Sequence, residues 1–134
     1  MQALNRCFVA AVLCASINCA FARTRDLNVG EARKLIEAAV GGRVRNLPGF
    51  TLEINNNDNV PGFLNFDATF DNPHGSPVVG FYAVNQVTGE VWKLVICRKV
   101  DSAELRRLQT NLHKQLQISA EELKQSWGKA PCQF

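Results

Sequence analysis

An α+β domain is what this sequence predicts: an N-terminal helix, a four-stranded antiparallel meander, then two C-terminal helices packed on one face. Three observations carry the prediction. Segment 29–40 spaces its apolar residues as a helix does, behind a capping pair. Residues 64–70 alternate apolar and polar with a period of two. Two further capping pairs stand before leucine-bearing segments beyond residue 100.

The first helix is expected over 29–40. Asn28 with Glu31 three residues later can satisfy two open N–H groups at its start, and Ala32, Leu35, Ile36, Ala39 and Val40 form one stripe. Gly41-Gly42 is expected to end it, because glycine takes the left-handed cap without a Cβ clash. Four strands follow. Phe50, Leu52 and Ile54 mark the first, and Leu64, Phe66, Ala68 and Phe70 the second, with Asn65, Asp67 and Thr69 on its wet side. The third is expected over 78–84 and the fourth as one piece over 91–99. The links 55–62, 71–77 and 85–89 are short and rich in Asn, Asp, Gly or Pro, which favours antiparallel neighbours. Asp101 with Glu104 then starts a helix edged by Leu105, Leu108, Leu112 and Leu116, and Ser119 with Glu122 starts a short last one.

The composition sets outer bounds. The chain has 134 residues, 46% hydrophobic and 20% charged, with a formal net charge of +3. That is one domain's worth of chain, too apolar for disorder and too nearly balanced to be drawn to an anionic polymer, so nucleic acid is not an expected partner. Residues 1–22 read as a secretory signal: Arg6 before an apolar run, then Ala20-Phe21-Ala22 as the cleavage sequence, with the cut between Ala22 and Arg23. The run is shorter than the roughly 20 residues a membrane span needs, so stable insertion is not expected. Residues 23–134 are left as a single domain in the periplasm or outside the cell.

Three of the five cysteines leave with the signal. Cys97 and Cys132 remain, and an even pair in an exported chain is expected to form a disulfide. Closing that loop would stabilise the fold by roughly 3–4 kcal/mol.

The hairpin segment Tyr82-Ala83-Val84-Asn85-Gln86-Val87-Thr88-Gly89-Glu90-Val91, placed after a helix and strands, resembles a PepSY-type domain over about residues 29–100. That resemblance implies a binding module that inhibits or regulates partner proteins, often peptidases, outside the cytoplasm.

Catalytic chemistry finds little support. His74 lies in the turn-forming Asp71-Asn72-Pro73-His74-Gly75, near Ser76, but residues crowded into one turn do not by themselves make a triad, and no G-x-S-x-G element accompanies them. His113 reads as a boundary residue of the leucine-edged helix. There is no HExxH and no CxxC. The run Asn55–Asn59 lacks the alternating acids, central glycine and final glutamate of a calcium loop. No metal or cofactor is expected. Arg98-Lys99 and Arg106-Arg107 read as a solvated strand end and helix face.

The expected function is therefore a non-catalytic exported binding module, of an inhibitor or immunity type, acting on a protein partner. A small hydrolase using His74 and an accessory subunit of an envelope assembly are the alternatives. In a meander the links 55–62 and 85–89 leave the sheet at one end, so Asn56, Asn57, Asp58, Asn59, Gln86 and Thr88 are the candidate contacts. Tyr82 and Trp92 flank the hairpin, as core or as an exposed cross-strand anchor pair.

Overall fold

The computed structural model describes residues 25–57 and 60–132. The expected signal sequence and its Ala22–Arg23 cut lie outside the described residues, as do Asp58 and Asn59. The chain runs α1 (Val29–Arg45), β1 (Thr51–Asn55), β2 (Phe63–Thr69), β3 (Val78–Asn85), β4 (Val91–Lys93), β5 (Arg98–Lys99), α2 (Ala103–Gln115) and α3 (Ala120–Ser126). The strands form one antiparallel sheet in the order β1-β2-β3-β4-β5.

The sheet thus has five strands, not the four expected. A single strand over 91–99 is replaced by β4, a 3-10 turn at Leu94–Ile96, and β5, which folds back so that Trp92 faces Lys99 and Lys93 faces Arg98. The run Leu94-Val95-Ile96 hid the reversal. It contains no Gly, Pro or Asn, the residues that normally announce a turn. Cys97 makes the reversal instead, at a φ of 44° with its N–H on the Leu94 carbonyl (3.1 Å).

Both halves of the capping box form at α1: Glu31 N–H donates to Asn28 Oδ1 and Asn28 N–H to Glu31 Oε2, each at 2.9 Å. The Arg25 guanidinium forks onto the same carboxylate and holds it below the usual carboxylate range. Gly41 does leave the helical region, at φ 77°, but it kinks α1, which continues to Arg45. Ser102, one residue after the expected Asp101, caps α2 by accepting from Leu105 N–H, while Asp101 pairs with Arg106. Ser119 and Glu122 form the second complete box, at α3.

Register assigns the two faces of the sheet. Leu52, Phe66, Ala68, Tyr82, Val84 and Val91 face α1 and α2 and meet Leu35, Ile36, Leu105 and Leu116 in the main core. Phe66 is fully enclosed at the centre. The Tyr82 ring lies over Gly80, where a Cβ would sit 3.2 Å from it. The opposite face carries a second, smaller cluster of Phe63, Ala83 and Trp92, capped by Ala130. Among the described residues, none of α1, α2 or α3 belongs to that cluster. No residue of α3 is buried, and the tail after it crosses to the far face to cover Trp92. Toward the β1 edge that far face stays open, with Thr51 and Glu53 of β1 and Phe81 of β3 exposed.

Candidate partner-binding site

Two of the expected contact segments meet. Gln86 N–H donates to the Gly62 carbonyl at 2.8 Å, so the links 55–62 and 85–89 share one end of the sheet. Asn56 and Asn57 are exposed there, with Asn57 N–H held by Asn55 Oδ1 in a local turn. The hairpin link is otherwise closed to a partner. Thr88 is fully buried, and Gln86 is half-buried, its carbonyl taken by Leu27 N–H. Gln109 Nε2 donates to the Gly89 carbonyl (2.9 Å), and the His113 ring meets the Thr88 carbonyl (2.6 Å), so α2 clamps the turn. Gly89 has a φ of 70°, and a Cβ there would stand 3.0 Å from Leu35.

Tyr82 and Trp92 are both buried and are not a cross-strand pair. Tyr82 faces Lys93 and Ala83 faces Trp92, so the two rings point to opposite sides of the sheet. Their placement is core packing, and burial raises the Tyr82 phenol above its ordinary value. The Trp92 Nε1–H has no partner among the described residues.

The hairpin also holds a buried ionic cluster that the sequence reading passed over. Glu90 is 1% exposed. Its carboxylate accepts from Thr88 Oγ1 (3.2 Å) and Gly128 N–H (2.8 Å) and pairs with Lys99 Nζ (2.9 Å). The Lys99 ammonium also sits 5.0 Å over the Trp127 ring, where the ring quadrupole favours it. Thr88 apart, the partners of Glu90 are distant in sequence, from β5 and from beyond α3.

Cys97 and Cys132 are joined by a disulfide, with Cα atoms 5.8 Å apart. The tail is thereby fixed twice, at Gly128 and at Cys132. The covalent fixing falls on the 94–97 turn, whose tip is apolar and wet: Val95 is 68% exposed and Ile96 60%. Burying such side chains is normally worth about 1.5–3 kcal/mol each, so this fold forgoes that gain at one held position. The αL backbone of Cys97 adds a cost of about 1 kcal/mol. The sequence places these residues in one strand over 91–99; the signal it lacks is the reversal itself.

His74 is exposed. Its backbone N–H donates to Asn72 Oδ1, and Ser76 Oγ accepts from Val78 N–H, so neither joins the His74 ring in a triad. Among the described residues no group of three or more His, Cys, Asp or Glu side chains could hold a metal ion, and no helix is long and apolar enough to cross a membrane.

No family model matches the chain, and no curated protein matches it. Among solved structures, a chain from a type VI secretion system effector-immunity complex from Pseudomonas protegens shares its fold, with a TM-score of 0.59 and 24% identity over 75% of this chain and 86% of that one.

Proposed function

We propose that this chain is a non-catalytic protein-binding module of the immunity type, exported and folded outside the cytoplasm, that acts by occupying the surface of another protein. The observation that carries this reading is the pair Val95 and Ile96, solvent-facing on a turn fixed by a disulfide. A rigid, pre-formed apolar tip loses little conformational freedom on binding, which is how inhibitory surfaces gain affinity. The effector–immunity complex that shares the fold supports the same reading, as does the PepSY-type resemblance of 82–91. The disulfide fits an oxidising compartment.

The test is isolation of the tagged full chain from its native envelope, followed by sizing of the purified complex. One protein should co-purify in fixed stoichiometry and lose its activity when bound. A chain that elutes alone at every concentration, or that turns over a substrate in a His74-dependent way, would refute the reading.

A further inference from the structure

The 94–97 turn has charged flanks that bear on what it meets. Lys93 and Arg98 stand directly opposite each other in the β4–β5 register. Like charges at such positions repel. Neither forms an ion pair among the described residues, although both neighbouring cations do: Lys99 with Glu90, and Arg106 with Asp101. The two side chains line a shallow groove that runs along the β5 edge to Ile96. Two unfavourable features therefore coincide within six residues: an exposed apolar tip and an uncompensated cation pair. The disulfide holds both in place.

We infer that the turn is the anchor of the interface, and that its counterpart is a cleft in a partner protein with an apolar floor and a carboxylate rim. The floor takes Val95 and Ile96 out of water, and the rim neutralises Lys93 and Arg98. Each feature that costs the free protein stability becomes favourable only in that setting. An apolar floor alone leaves the cations facing a desolvated wall, and an acidic surface alone leaves the apolar tip wet. This assignment rests on the partner-binding reading above and specifies where and to what the chain binds.

Photo-crosslinking in the native envelope tests it. A benzoylphenylalanine is placed in the full chain at position 95, at 96, at 81 on the open sheet face, and at 107 on α2. Positions 95 and 96 should give the dominant adduct with one protein, and the crosslinked peptide should carry Asp or Glu beside apolar residues. Against that protein, purified, V95D/I96D should weaken binding about 30-fold or more. K93E/R98E should weaken it about 10-fold and flatten its dependence on salt. All four side chains lie outside the core, and circular dichroism with a thiol assay checks that both variants keep the fold and the disulfide. Adducts to a protein from 81 or 107 alone would overturn this inference while leaving the binding function standing. An adduct at 95 to a second copy of the chain or to lipid would overturn it too. Adducts from no position would overturn the binding function itself.

Discussion

Replacing Cys97 and Cys132 together by Ser removes a link between residues 35 apart in sequence. In the chain-entropy model, closing a loop of that length takes roughly 12.7 cal/mol/K from the unfolded ensemble, or about 3.8 kcal/mol at 25 °C. The native contacts around the link survive its removal, because Gly128 N–H still holds Glu90 and Ala130 still covers Trp92. The loss therefore falls on the unfolded side. A domain of this size unfolds with an entropy of about 0.23 kcal/mol/K, so the thermal midpoint should drop by roughly 16 °C. Urea unfolding followed by circular dichroism measures the difference. The double variant should show a lower midpoint and a somewhat steeper slope, because an uncrosslinked chain exposes more surface. A loss below about 1 kcal/mol with an unchanged slope would refute the argument: it would mean that 97 and 132 stay together without the bond.

Three further outcomes follow from the packing. Phe66→Ala empties the centre of the main core, beneath the Arg33 guanidinium, and should cost about 3–5 kcal/mol in the same urea assay. Glu90→Ala strands Gly128 N–H and Thr88 Oγ1 and should cost about 2–3 kcal/mol; Lys99 is 37% exposed and rehydrates, so the cost stays below that of a fully buried pair. Glu90→Gln keeps an acceptor and should lose less than half as much. Tyr82 is the chain's one tyrosine, so a phenolate absorbance titration reads it alone. Burial raises its folded pKa, so the native state holds its proton to higher pH than the unfolded state, and stability should fall as pH rises past the unfolded value of about 10. Ionisation at the ordinary value in native protein would contradict the burial.

What the sequence made legible was whatever depends on near neighbours. Asn28–Glu31 and Ser119–Glu122 are three residues apart, and each box closed as its spacing implied. The alternation in 64–70 placed Phe66 and Ala68 in the core, although Asn65 on the other side is buried as well. The Cys97–Cys132 bond, too, was readable, from parity in a sequence that reads as exported. The misreadings share a different cause. The apolar run 94–96 has the composition of a strand, and what turns it back on itself is the β4–β5 pairing, the left-handed backbone of Cys97 and the contacts from Cys132 and Glu90. Thr88 looked like a loop residue because α2, which buries it, lies some twenty residues further on. Tyr82 and Trp92 lie on neighbouring strands but on opposite faces, a matter of register that the five-residue link between β3 and β4 did not reveal.

The double fixing of the tail also orders events in time. Residues 128 and 132 complete the burial of Glu90 and the clamp on the turn, so both wait for the last stretch of chain to arrive. A chain assembled from its N-terminus can build the sheet against α1 early, yet the 94–97 turn remains loose until residues 128–132 arrive. A fixed tip is thus withheld until residue 132 is in place, and a polypeptide cut short before residue 128 would carry the turn without either of its two holds.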